Sequence, residues 1–131
     1  MPVLLPAPPT TSTEVCELAE SSPRGPLETF SAQLDAFNSH DVDAFVDTYA
    51  DNAVIHGLLE QPLVGRDAIH AFYAPRFDDP QLRCTVENSV VYENRWVVAH
   101  EVVWRTGTQT TTIAMFDIVE GKITRAMLMK A

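Results

Sequence analysis

The stretch "VDTYADNAVIHGLLEQPLVGRDAIHAFYA", residues 46–74, decides the fold. It opens at the end of a helix, because Val42, Phe45, Val46 and Tyr49 fall at helical spacing. "ADNAVIHG" ends that helix and starts a short strand, in which Val54 and His56 share a face. "PLVGRDAIHAFYAPRF" then reads as a loop and a third helix, with Ile69, Phe72 and Tyr73 inward. Pro75 and the following "DDP" close this helix, since proline cannot donate to the ladder.

Upstream, Leu27, Phe30, Leu34 and Phe37 recur at steps of three and four and predict a first helix. Asn38, Ser39, His40 and Asp41 interrupt it with turn and cap residues. Downstream of residue 80 the period changes to two. "CTVENSVVYEN", "RWVVAHEVVWRT", "TTTIAMFDIVE" and "KITRAMLMK" read as four strands joined by short turns that suit antiparallel hairpins. Helices followed by a run of strands imply an α+β domain, with three helices packed on one face of an antiparallel sheet.

The chain has 131 residues, the size of one domain, and 46% of them are hydrophobic, enough for a core. Residues 1–26 hold a Pro-rich arm, with a short helix capped by Thr11 and Glu14, and the compact domain spans 27–131. Nine Lys and Arg against 18 Asp and Glu give a net charge of −9, which argues against nucleic acid and anionic membranes as partners. No apolar run approaches the ~20 residues of a membrane helix, and the N-terminus lacks a basic region, so a cytoplasmic protein is expected. Cys16 and Cys84 fit no zinc or redox spacing; two free thiols are the simpler reading and a disulfide the other.

Phosphate-binding glycine loops, GxSxG elbows and HExxH helices are all missing, so no metal and no cofactor is expected. In "RWVVAHEVVWRT", His100 alternates with Trp96, Val98, Val102 and Trp104. This histidine is either a satisfied core group or the proton carrier of a pocket, since its ordinary pKa lies near neutrality. If that face is the pocket wall, Val102 and Trp104 line it, and Val97, Ala99, Glu101 and Val103 face outward. Glu101 is then a solvated or interface acid. His56 and Glu60 flank the loop "GLLEQP" and are rim candidates, with plain surface roles as the alternative. Tyr49 and Tyr73 sit on inward helical faces, where a hydroxyl can donate to an oxyanion.

The motif "D-x-D-x-F-x-x-x-Y-A-D-x-A-V", the helix opening "G-R-D-A-I-x-x-F-Y" and the closing hairpin "FDIVEGKITRAMLM" together resemble the nuclear transport factor 2-like superfamily. Within it the chain is most similar to the SnoaL-like and ketosteroid-isomerase-like branch, over residues 27 to about 129. The resemblance implies a cystatin-like cone, in which three helices close over a curved antiparallel sheet and enclose an apolar cavity open near residues 57–65. It implies homodimers through the outer sheet face. It also implies a small apolar ligand handled by an isomerase, cyclase or lyase, or by a protein that only binds or scaffolds.

Carried over residue by residue, the steroid-isomerase tyrosine of the first helix falls on Gln33 and the aspartate base on Gly57. The protonated aspartate falls at or next to Ala114, and only the supporting tyrosine is kept, as Tyr73. A standard ketosteroid isomerase is therefore not expected. The cyclase-like branch needs one acid/base facing the cavity, for which His100 is the candidate, assisted by Tyr73. Gln33, Tyr49, His56, Glu60, Val102, Trp104, Ala114 and Phe116 are the expected ligand contacts. The dimer is expected to form over an apolar row of Val97, Ala99, Val103, Ile113 and Met115.

Overall fold

A computed structural model describes residues 24–131. The expected arm, with its capped helix and Cys16, lies outside the described residues. Three helices come first: α1 (Pro26–Asn38), α2 (Val42–Asp47) and, after strand β1 (Tyr49–His56) and the two-residue β2 (Leu63–Val64), α3 (Arg66–Tyr73). A single 3-10 turn (Arg76–Asp78) leads into β3 (Arg83–Tyr92), β4 (Trp96–Arg105), β5 (Thr108–Val119) and β6 (Lys122–Lys130).

The six strands form one unclosed sheet in the order β2-β1-β6-β5-β4-β3. Only β1 and β6 run parallel; every other pair is antiparallel. Irregularities between Tyr49 and Val54, Val86 and Asn88, and Asp117 and Ile118 interrupt the ladders. Each such bulge bends its strand and adds twist, which lets the sheet curl around the helices. The α+β architecture expected from the sequence is therefore present, with β2 as an added strand where a loop was expected.

Helix α1 begins where Pro26 occupies the first turn and the Glu28 carboxylate accepts the Gly25 N–H at 2.8 Å. Its buried face is rotated from the expected one: Thr29, Phe30, Gln33 and Ala36 are buried, whereas Leu27 is 53% exposed. The reason is local. The Thr29 hydroxyl donates to the Gly121 carbonyl at 3.1 Å, which turns this face toward the sheet.

At the other end of α1, Asn38 joins the helix to the edge strand. Its side chain donates to the Cys84 carbonyl at 2.9 Å and accepts the Cys84 N–H at 2.8 Å. Two residues later His40, at φ 58°, reaches the Leu82 carbonyl at 2.7 Å. Asp41 then caps α2 by accepting the Ala44 N–H at 3.0 Å.

Tyr49 lies at the start of β1 and not on a helix, because Thr48 already closes α2 through its hydroxyl bond to the Phe45 carbonyl. It stays inward all the same, 1% exposed, in an aromatic cluster. Phe45 packs on Tyr73 at 4.6 Å and on Tyr49 at 5.4 Å between ring centres. Phe30 packs on Phe116 at 5.3 Å, joining α1 to the middle of the sheet.

Candidate functional site

The faces of β4 determine the site, and they are opposite to the expectation. Val97 and Ala99 are fully buried beneath the helices and Glu101 is 7% exposed. The register agrees: Val97 pairs with Phe116, Ala99 with Ala114 and Glu101 with Thr112, all on the concave side. His100 pairs with Asn88 and Ile113 on the convex side, with Trp96, Val98, Val102 and Trp104 along its own strand. His100, Val102 and Trp104 therefore turn away from the pocket.

Both faces of this strand are apolar, so hydrophobicity alone did not distinguish them. The hairpin did carry the signal. The β4–β5 turn is Thr106–Gly107, with Arg105 opposite Thr108, so odd positions of β4 meet even positions of β5. Placing Ala114 and Phe116 inward thus requires Val97, Ala99 and Glu101 inward as well.

A pocket of about 360 Å³ opens between α1, α3 and the concave sheet. That size lies at the lower end of the ~300–1,000 Å³ range of small-molecule sites. Phe37, Phe45, Phe72, Leu82, Val103 and Phe116 give it an apolar wall. Its polar interior is made by Gln33, Tyr49, Tyr73, Cys84 and Glu101. The expected contacts Gln33, Tyr49 and Phe116 and the expected catalytic Tyr73 all line this pocket. Ala114 is buried in the core between Ala99 and Leu128 and does not line the pocket. His56 pairs with Met127 on the convex side, and Glu60 is exposed in its loop.

Glu101 is the only carboxylate among the described residues that lines this pocket. Burial pushes its pKa up to about 7, opposed by a weaker interaction with the Cys84 thiol. The same burial, with the Glu101 charge nearby, pushes the Cys84 thiol well up, so it stays protonated. Tyr49 and Tyr73 are likewise held above the ordinary phenol range, first by burial and then, among other causes, by the Glu101 charge. Gln33 donates to the Tyr49 hydroxyl at 3.2 Å, which leaves that hydroxyl's own proton available. The arrangement combines one acid that titrates near neutrality with two phenols that remain donors.

Gly57 explains why no side chain occupies the end of β1. Its φ is +99°, and a Cβ there would lie 1.9 Å from the Leu128 carbonyl oxygen. An aspartate at this position is sterically excluded.

The comparisons with known proteins agree with this fold. The sequence pattern of the SnoaL-like domain matches residues 30–126, and the chain belongs to that family. An uncharacterised cystatin-fold protein from Novosphingobium aromaticivorans is similar in structure, with a TM-score of 0.71 at 22% identity, over 81% of this chain and 98% of that one. SalBIII, described as an epoxide hydrolase/cyclase-like enzyme in pyran ring formation in the polyether salinomycin, gives 0.72 at 16% identity, over 80% and 89%. A candidate ketosteroid isomerase from Kribbella flavida gives 0.68 at 11% identity, over 79% and 76%. No curated protein matches in sequence.

Proposed function

We propose that this protein is a cofactor-independent acid/base enzyme of the isomerase, cyclase or lyase type, acting on a small, largely apolar molecule that bears a carbonyl group. The observation that carries the reading is Glu101: a buried carboxylate with a pKa of about 7, facing a pocket whose wall is aromatic and aliphatic. A base tuned to neutrality gives the best combination of ionised fraction and proton affinity.

In the proposed step, the Glu101 carboxylate takes a proton from the carbon next to the carbonyl. The C–H electron pair forms the enolate C=C bond and the carbonyl π pair moves to oxygen. Tyr73, and Tyr49 behind it, donate hydrogen bonds to that oxygen. Protonated Glu101 returns the proton at another carbon; alternatively, the enolate carbon attacks a second carbonyl carbon of the same folded substrate, whose π pair moves to its oxygen, and that oxygen takes the proton from Glu101. The neighbours named as a cyclase-like enzyme and a candidate ketosteroid isomerase support this class of chemistry.

The test is deuterium uptake from D₂O into the α-carbon of a panel of cyclic ketones, followed by NMR. Wild-type protein is expected to accelerate uptake and Glu101→Gln to abolish that acceleration. Binding without uptake would instead favour a non-catalytic ligand carrier, and acceleration that survives Glu101→Gln would reject Glu101 as the base.

A second copy of the chain is the proposed partner on the convex face. Val90, Tyr92 and Met127 are exposed there, and Trp96, Val98, Ile113 and Met115 are half-buried. Of the row expected from sequence, only Ile113 and Met115 remain on this face; Val97, Ala99 and Val103 are on the concave side.

A further inference from the structure

The charges around the pocket are distributed against the composition of the chain. Of nine Lys and Arg in the sequence, three line it: Arg76, Arg105 and Lys130. Among the described residues, Glu101 is the only Asp or Glu that does. In a chain of net charge −9, a pocket with three cations and one acid runs opposite to the rest of the molecule.

Two of the cations, Arg76 and Arg105, line the same pocket. The Arg76 guanidinium is held down in pKa first by burial and then by the charge of Arg105. Like charges brought close repel, and neither is in an ion pair with a carboxylate among the described residues. Arg105 is the least of the influences on Asp79, whose oxygens accept from Thr106 at 2.9 and 2.7 Å and from Gln81 at 2.9 Å. That clamp fixes the turn from which Arg105 projects.

Arg76 is also held in place. Its guanidinium lies 3.7 Å from the centre of the Phe72 ring, and one N–H donates to the Phe72 carbonyl at 3.1 Å. The remaining donors of the fork have no partner among the described residues. Tyr73 lines the same pocket as Glu101, Arg76 and Arg105.

We propose that Arg76 and Arg105, with Lys130 at the rim, form an anion seat for a carboxylate on the substrate, so that the ligand is a small cyclic keto acid rather than a neutral ketone. The carboxylate relieves the repulsion between the two guanidinium groups and accepts paired N–H bonds, a geometry arginine favours. Its apolar body then lies along Phe37, Phe45 and Phe72, and its carbonyl end reaches Glu101 and Tyr73. Only this placement of the reacting end rests on the function proposed above; the seat itself does not.

The probes are 4-oxocyclohexanecarboxylate and its bicyclic and tricyclic keto acid homologues, each measured against its own methyl ester by calorimetry. The best-fitting acid is expected to bind at least about tenfold more tightly than its ester. The preference is expected to weaken with added salt and to disappear in Arg76→Gln/Arg105→Gln, whose fold is checked by circular dichroism. Glu101→Gln is expected to keep it. Equal or tighter binding of the esters by the wild-type protein would overturn the seat, as would failure of every acid to bind at millimolar concentration. A preference that survives the double substitution would overturn it too. The two proposals separate cleanly: acid-selective binding without deuterium uptake leaves the seat standing and removes the enzyme, and Glu101-dependent uptake that ignores the acid group does the reverse.

Discussion

A carboxylate held at a pKa of about 7 is a thermodynamic burden on the fold as well as a chemical tool. Its folded pKa lies above the ordinary 4.5, so the folded state holds the proton more tightly than the unfolded one. The stability it contributes is fully present below about pH 4.5 and is lost as pH rises through about 7. Glu101→Gln, which keeps the shape without the charge, is therefore expected to match wild type at pH 4.5 and to be more stable at pH 8 by roughly 3 kcal/mol. Chemical denaturation at the two pH values checks this. Tyr73→Phe removes only a hydroxyl from a packed ring; deuterium uptake is expected to fall by about two orders of magnitude with little change in melting temperature. Strand periodicity alone does not single out Glu101. The alternation in "RWVVAHEVVWRT" was plain, but two apolar faces left the inward one open. The larger residues Trp96 and Trp104, and His100 with them, lie on the convex side. The small residues Val97 and Ala99 are the ones that allow helices to approach closely, and Glu101 shares their face.

At the scale of elements, the order of helices and strands was legible because each carries a clean period and ends at turn chemistry. Tyr49 continues the helical spacing from Phe45, so the sequence pattern extends the helix two residues past its end at Asp47. The Thr48 hydroxyl bond that stops the helix selects between two compatible conformations, and no periodicity reveals it. Residues Leu63–Val64 pair with β1 over two positions only, too short to leave a pattern. Two contacts tie elements together strongly enough to predict. Gly57→Ala places a Cβ 1.9 Å from the Leu128 carbonyl at a positive φ, so β1 and β6 must part. A loss above about 3 kcal/mol is expected, measurable by urea unfolding. Asn38→Ala removes both bonds to the Cys84 backbone and leaves its N–H and C=O short of partners. A cost of about 2–3 kcal/mol is expected, together with faster hydrogen exchange at the start of β3.

At the scale of the molecule, one curved sheet serves two surfaces. Its concave face carries the pocket, and its convex face carries more exposed apolar surface than a solvated sheet normally does. Among the described residues no helix is long and apolar enough to cross a membrane. The proposed second copy on the convex face predicts that the protein sediments as a dimer at micromolar concentration and that Met127→Lys shifts it toward monomer; a monomeric wild type would contradict this. Both surfaces depend on one assignment, that β4 turns Glu101 inward and His100 outward. The most direct test is a pH titration of the Glu101 side-chain carboxyl carbon by NMR, assigned by its loss in Glu101→Gln. A midpoint near 7 is expected. A midpoint at the ordinary 4.5 would mean a solvated carboxylate and would contradict both the fold's inner face and the proposed chemistry.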